Sequence, residues 1–299
     1  MTHRLLLDVS SLMYRAFFAM GETIASPAGR PVGALHGYLD MVARLLVSRR
    51  PDEVVHAYDH EWRPVARTDI YPGYKANRPP DPDGLPEQFT MLRQVLDLTG
   101  MAQAQTRGWE AEDAIGALCA EALPTDRVEI VSGDRDLIQL VRDPVVKLLY
   151  TVRGVSELAE LDEPAVLEKY GVPASRYAEF AILRGDPSDD LPGVRGVGEK
   201  TARALVQSYG SLEEILADAA AAEPRPGPLK GKPALRARIR DAGDYVAAMQ
   251  RLVPVNAEAP LDRWAGERDD EGLTALADEL AIRGPVQRLR AALDLAPDG

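Results

Sequence analysis

Three short apolar runs in the first half of the chain each close on an aspartate. They read Leu5-Leu6-Leu7-Asp8, Val54-Val55-His56-Ala57-Tyr58-Asp59, and Ile130-Val131-Ser132-Gly133-Asp134. Between them, apolar residues recur at helical spacing, as in Leu35, Leu39, Val42, Leu45 and Leu46, and further helices are predicted over 86–99 and 111–122. Strands are predicted over 4–8, 53–58, 127–132 and 145–149. Strands alternating with helices predict an α/β fold with a mostly parallel sheet covered on both faces. In such sheets ligands bind beyond the carboxyl ends of the strands. Asp8, Asp59 and Asp134 would all stand there, so residues far apart in sequence are expected to converge.

From about Glu163 the strands are expected to stop. Helices are predicted over 163–170, 174–184, 199–209 and 211–217, and again over 285–295, with an Ala/Pro/Gly-rich loop over 219–233. The expected organisation is an α/β domain over 1–165 and a helical region over 166–299, with an irregular basic segment over 62–86. A segment of that length without a clear element is usually functional.

The chain has 299 residues, 45% hydrophobic and 27% charged, enough for one large or two modest domains. No apolar run reaches the roughly 18 to 20 residues of a membrane span. The first strand starts at once, which leaves no room for a signal peptide. One cysteine, Cys119, excludes an internal disulfide and fits a reducing, cytoplasmic setting; its apolar neighbours predict a buried structural thiol. The net charge of −12 argues against a polyanionic partner. Residues 62–78 carry a local +3, however, and residues 224–251 a local +5, so a polyanion can still be gripped locally.

Nine acids carry the main chemical signal: Asp8, Asp59, Glu110, Glu112, Asp113, Asp134, Asp136, Asp186 and Asp189. Gathered together they repel one another unless divalent cations neutralise them, and an all-oxygen set suits Mg²⁺ or Mn²⁺. A two-metal site of that kind is a common device for phosphodiester cleavage. Each acid also has a simpler reading. Asp8 and Asp136 suit helix caps. Glu110, Glu112 and Asp113 suit a helix's first turn, although three carboxylates in four positions exceed what a cap needs.

Residues 184–200, Arg-Gly-Asp-Pro-Ser-Asp-Asp-Leu-Pro-Gly-Val-Arg-Gly-Val-Gly-Glu-Lys, form a tight glycine-rich turn feeding a helix at Glu199. Gly193, Gly196 and Gly198 let a backbone approach closely, and helix N-terminal amides bind phosphate without reading bases. Lys200 and Arg203 lie one turn further in. His3, His36, His56 and His60 have no metal-ligand spacing with a cysteine, and no Ser-His-Asp set or P-loop is visible. Trp62, Trp109 and Trp264 read as packing residues.

Taken together, these motifs resemble the bacterial 5′→3′ exonuclease and flap endonuclease family, which includes the N-terminal domain of DNA polymerase I and stand-alone actinobacterial-type enzymes. The resemblance runs from about Leu5 to Val255. It is carried by Leu-Leu-Asp8 with Tyr14-Arg15-Ala-Phe17, Tyr-Asp59, Arg67 to Tyr74-Lys75-Ala-Asn77-Arg78, Trp-Glu110-Ala-Glu112-Asp113, Ser-Gly-Asp134-Arg-Asp136-Leu, and residues 185–202. The resemblance implies a PIN-like nuclease domain followed by a helix-3-turn-helix module. It places the first metal with Asp8, Asp59, Glu110, Glu112, Asp113 and Asp134, and the second with Asp136, Asp186 and Asp189 together with the Glu112–Asp113 region. It makes residues 62–86 an arch from which Lys75 and Arg67 steer the scissile phosphate. Tyr14, Arg15, Tyr74, Arg78, Gly193, Gly196, Gly198, Lys200 and Arg203 are implied to contact DNA. A K⁺ ion on the main-chain carbonyls of Leu183, Arg184, Pro192, Val194 and Val197 is implied too. Glu112 stands where relatives have Asp, and Asp190 where they have Asn.

The expected function is therefore a metal-dependent 5′→3′ exonuclease and 5′-flap endonuclease of DNA replication and repair. It is expected to be a monomer, to act on DNA with 5′ ends or flaps, and to leave work for a separate polymerase and ligase. A PIN-type ribonuclease, a catalytically silent DNA-binding relative and a Mg²⁺ phosphatase using Asp8 as nucleophile are the competing readings.

Overall fold

The structure, a computed structural model, describes residues 1–21 and 24–295. Its strands are β1 (His3–Asp8), β2 (Glu53–Tyr58), β3 (Ala102–Thr106), β4 (Arg127–Ser132), β5 (Val146–Arg153), β6 (Glu157–Leu161) and β7 (Leu261–Trp264). The helices of the first half are α1 (Val9–Met20), α2 (Gly33–Arg49), α3 (Val65–Ile70), α4 (Leu85–Thr99) and α5 (Ala111–Ala120). Those of the second half are α6 (Glu163–Tyr170), α7 (Tyr177–Arg184), α8 (Glu199–Ser208), α9 (Leu212–Ala220), α10 (Pro233–Asp241), α11 (Gly243–Leu252), α12 (Asp270–Glu279) and α13 (Arg283–Leu293).

Local chemistry sets many of the boundaries. Asp8 caps α1 by accepting from the Ser11 amide at 3.0 Å, and Ser211 caps α9 by accepting from Glu214 at 3.3 Å. Pro86 sits in the first turn of α4, where its missing N–H costs nothing, and Gly100 ends that helix at φ 71°.

The seven-stranded sheet has the order β6-β5-β4-β1-β2-β3-β7. The run from β5 to β3 is parallel, and β6 and β7 close the two edges antiparallel. Adjacent side chains of β1 point to opposite faces. Leu6 joins a core shared with α5 and the helices α7 to α11, while Leu5 and Leu7 join a core shared with α1, α2, α4, α12 and α13. Burial on both faces is why this strand is a continuous apolar run rather than an alternating one. β1 lies where the crossovers reverse direction, between β4 and β2, so the carboxyl ends of these three strands frame one crevice.

The mostly parallel α/β architecture with a following helical module is what the sequence predicts. Three strands are additions to that reading: β3, β6 and β7. The expectation that strands cease at Glu163 is corrected by β7, which pairs with β3 in the register Gln103↔Trp264 to Thr106↔Leu261. Residues 261–293 thus return to the first half, where α13 packs on α2 and α12 on α4. The segment 62–86 is also more ordered than expected. It contains α3, and Arg63 ties its turn by donating to the carbonyls of Tyr74 and Pro72, both at 2.7 Å. No helix among the described residues is long and apolar enough to cross a membrane. Cys119 is buried, as predicted.

His56, in the middle of β2, is fully buried with Nδ1 2.7 Å from the Tyr38 hydroxyl. Burial lowers its pKa to about 3. The folded chain therefore resists protonation that the unfolded chain accepts near pH 6.5, and stability present above that pH is lost as pH falls toward 3. Each pH unit in that window costs about 1.4 kcal/mol. Urea unfolding between pH 6 and 4.5 should show a steeper loss for wild type than for His56→Gln; equal slopes would rule out a neutral buried imidazole.

Candidate active site

The carboxyl ends of β1, β2 and β4 open into a cavity of about 760 Å³. Seven of the nine predicted acids line it: Asp8, Asp59, Glu110, Glu112, Asp134, Asp186 and Asp189. The first three strands of the argument thus deliver their aspartates to one place. The 3-10 turn Pro187–Asp189 brings Asp186 and Asp189 from the helical half, with Asp186 capping that turn by accepting from the Ser188 amide at 3.0 Å.

Hydroxyls and amides fix the carboxylates. Asp8 accepts from Ser132 Oγ at 2.6 Å as well as from the Ser11 amide, so its capping and site roles coexist. Asp59 accepts from Ser10 Oγ and from the Ala111 amide at 2.7 Å. Asp134 accepts from the Asp136 amide at 2.9 Å. These serines escape a reading that looks only for acids, although Ser10, Ser11 and Ser132 all flank the aspartates in sequence.

The cavity is crowded with like charge, and the proton affinities show it. Asp8 is raised to about 7 by burial, with Asp59 and then Asp134 adding repulsion. Asp189 is raised to about 6 by burial, against the pull of Lys75, with Asp134 and Glu110 opposing. Burial also raises Asp59, helped by Glu110, and lifts Glu112 well above the usual carboxylate range against the pull of Arg67. Asp136 does not line the cavity, but burial and then Asp134, Asp189 and Asp186 raise it well above its ordinary value.

Two acids hold different positions from those predicted. Glu110 lines the cavity, yet one oxygen receives Lys75 and the other receives Arg67 and, at 2.6 Å, the Tyr74 hydroxyl. Burial disfavours its charge, and Lys75 and Arg67 together still hold its pKa below the ordinary range. Asp113 is fully buried and faces away from the cavity. It completes a capping box with Glu110, accepts from the Asn256 amide at 2.8 Å and pairs with Arg67 at 2.9 Å. These two acids are the anchors of an internal charge network.

The basic residues divide in the same way. Lys75 lines the cavity, its Nζ against Glu110 and 3.7 Å from Asp189, with its own backbone held left-handed at φ 50°. Arg67 does not line it. Only 1% exposed, Arg67 lies behind the acids, paired with Glu110, Glu112 and Asp113 and within cation–π range of the Trp109 and Tyr74 rings. The expectation that Arg67 steers a phosphate is corrected by that burial. Tyr74, 2% exposed beneath Glu110, is likewise withdrawn from any DNA surface. Tyr14, Arg15 and Arg78 do line the cavity, with Arg78 over the Tyr14 ring and Tyr14 donating to Asp81. Arg135, which sequence reasoning passed over, also lines it and stands 3.4 Å from Asp186.

Beside the cavity, residues 183–198 form a tight turn. Gly193 (φ 68°) leaves no room for a side chain, since a Cβ there would lie 2.5 Å from the Arg184 carbonyl oxygen. Its amide donates to the Tyr245 hydroxyl at 3.0 Å. The Leu183 carbonyl accepts from Val194 at 3.0 Å and the Val194 carbonyl from Val197 at 2.8 Å. Arg184, Pro192 and Val197, the other residues whose carbonyls are implied to take K⁺, lie within the same stretch. Gly198 caps α8, Lys200 is exposed without an ion pair among the described residues, and Arg203 pairs with Glu199 at 2.7 Å. Arg238 of α10 lies directly over Gly196. Asp190, at φ 57°, turns away from the acids and binds the Asn77 amide at 2.8 Å and side chain at 3.0 Å.

Among the described residues no group of three or more His, Cys, Asp or Glu is already gathered tightly enough to hold an ion. The donor set is nevertheless all oxygen, converges on one cavity and is strained by uncompensated charge, which suits a hard divalent cation.

Comparison with known proteins decides the family. The 5′-3′ exonuclease N-terminal resolvase-like domain matches residues 3–171, and the 5′-3′ exonuclease C-terminal SAM fold matches residues 172–268. The chain belongs to the 5′-3′ exonuclease family. The 5′-3′ exonuclease of Streptomyces coelicolor is 42% identical over 306 positions, covering 97% of this chain and 99% of that one. That of Mycobacterium tuberculosis is 40% identical over 317 positions, covering 98% of each. A bacteriophage T5 flap endonuclease, solved as a pseudo-enzyme-product complex with DNA and metal ions, shares the fold at a TM-score of 0.65 and 19% identity, covering 98% of this chain and 99% of that one. This exonuclease-family chain thus places its acids where an α/β sheet presents ligands.

A cation that relieves the repulsion should stabilise the fold, by about 2.7 kcal/mol at a hundredfold excess over Kd. Thermal melts should rise with Mn²⁺ in wild type. Asp189→Asn should melt above wild type in chelator, because it removes a charge that burial disfavours, and should gain less from Mn²⁺. A wild-type melt indifferent to Mn²⁺ and Mg²⁺ would contradict the cation reading.

Proposed function

We propose that this protein is a divalent-metal-dependent 5′→3′ exonuclease and 5′-flap endonuclease that hydrolyses DNA phosphodiesters. The observation that carries the reading is the convergence of seven carboxylates from both halves of the chain on one cavity, beside a backbone turn suited to phosphate. Membership of the 5′-3′ exonuclease family supports it, as does the shared fold of the T5 flap endonuclease solved with DNA and metal ions.

Asp8, Asp59, Glu112 and Asp134 would hold one Mg²⁺ or Mn²⁺, with Glu110 positioned among them. Asp136, Asp186 and Asp189 would hold a second. When bound, such ions lower the pKa of a water and stabilise charge on the leaving oxygen. The chain's own residues prepare the site. Ser10, Ser11 and Ser132 aim the aspartates. Lys75 is positioned at the cavity wall, where its ammonium would offset negative charge developing on the scissile phosphate. Arg78, Tyr14 and Arg15 would contact the strand entering the cavity.

The turn over residues 183–198 and Lys200 would grip the duplex through its phosphates, independently of base sequence. The carbonyls of Leu183, Arg184, Pro192, Val194 and Val197 would take K⁺ through their free lone pairs. Cleavage would leave 5′ phosphates and intact 3′ hydroxyls, ends that a separate polymerase and ligase can use in replication and repair; the protein would act as a monomer in the cytoplasm.

Incubation of a labelled 5′-flap duplex with Mg²⁺, Mn²⁺ or chelator tests the proposal. Cleavage at the flap base and stepwise loss from 5′ ends should require the cation. Lys75→Ala should lower kcat by about 10² to 10³, the range for loss of one charge-stabilising donor. Asp134→Ala should abolish turnover. Lys200→Ala should weaken binding of the duplex alike for all sequences and reduce the log–log salt slope by about 0.9. A preference for matched RNA flaps over DNA flaps, or cation-independent cleavage, would overturn the assignment.

A further inference from the structure

Arg67 is too deeply buried to touch a nucleic acid, yet it meets three acids of the site at once. Its Nη2 lies 2.6 Å from Glu112 Oε1 and 2.9 Å from Asp113 Oδ1, and its Nη1 pairs with Glu110 Oε2. Two aromatic rings lie within cation–π range of its guanidinium, with centroids 5.7 Å away for Trp109 and 5.8 Å for Tyr74. Asp113 is further pinned by the Asn256 amide, and Glu110 by Lys75 and Tyr74, so both have their oxygens committed. Glu112 differs. It lines the cavity, one oxygen meets Arg67, and its other oxygen has no hydrogen bond among the described residues.

We infer that Arg67 is a positioning residue for the cation site: it grips Glu112 by one oxygen and so presents the other to the cavity. The inference rests on the divalent-cation reading above. A guanidinium is the group suited to this task, because it offers several donors to three carboxylates at once and stays charged whatever the pH. A lysine would offer one point charge and no fixed plane. The length of residue 112 matters as well. A glutamate on α5 spans the gap back to Arg67, whereas an aspartate is one methylene shorter and would give up that grip. Arg67 and Glu112 therefore form a matched pair in this chain, and Arg67 acts on the reaction only through the acid it holds.

The test separates binding of cation from binding of DNA. Mn²⁺ affinity is measured by electron paramagnetic resonance on DNA-free protein, and flap-DNA affinity is measured in chelator. Partners that orient a metal ligand typically change affinity by about 10- to 100-fold. Arg67→Lys and Glu112→Asp should each weaken Mn²⁺ binding by about that factor and leave DNA affinity in chelator unchanged. The double variant should lose little more than either single one, because both break the same contact. Glu112→Asp keeps every charge and leaves the contacts of Arg67 with Glu110 and Asp113 in place, so it remains informative if Arg67→Lys melts below the assay temperature. Unchanged Mn²⁺ affinity in Glu112→Asp, additive losses, or weaker DNA binding in chelator by folded Arg67→Lys would overturn the inference. Wild type that binds no Mn²⁺ would remove the cation reading itself, a distinct outcome.

Discussion

Charge balance inside one acid-lined pocket governs this molecule. A parallel sheet brings three aspartates together at its carboxyl edge, and the helical half adds two more. In water such a group would be tolerable; behind a wall of side chains it is not, because burial penalises every ionised form. The chain answers with two internal cations. Arg67 and Lys75 come from one short segment and neutralise the Glu110 side of the pocket. Toward Asp8 and Asp189 negative charge stays in excess, and there the proton affinities climb. A pocket compensated on one flank and starved on the other has a built-in place for outside positive charge.

The same segment joins the two halves. Lys75 donates its amide to the Asp189 carbonyl at 3.0 Å, and Asn77 is held by Asp190. On the opposite flank Arg78 and Asp81 reach Tyr14 of α1. Residues 62–86 are thus fastened to both α1 and the turn that follows α7. Moving this segment would disturb the acids it neutralises, so substrate access and charge balance share the same contacts.

What could be read from the sequence depended on how strongly each feature marks itself. Leu5 to Asp8 announces a doubly buried strand, and the glycines of residues 193–198 announce a backbone turn. Ala102 to Thr106 announces nothing: Ala-Gln-Ala-Gln-Thr has neither an apolar run nor β-branched residues beyond its last position, and its pairing partners alone make it β3. β7 is four residues long and owes its existence to the same neighbour. The acids were found as a set, but their division was hidden. Glu110 and Asp113 lie three apart, which puts them on one side of the first turn as a capping box, whereas Glu112 points elsewhere. That spacing was legible. The burial of Arg67 and Tyr74 was not, since a basic, proline-rich stretch ordinarily lies in solvent.

The antiparallel strand β7 reaches across from the far end of the chain to lie against β3. Without it, β3 would present a bare row of amides and carbonyls on a rim of small and polar residues, the kind of margin along which separate molecules pair. The final third of the polypeptide therefore guards the solubility of the first, and a shortened chain lacking residues 261–264 would carry an intact set of acids on a sheet prone to self-association.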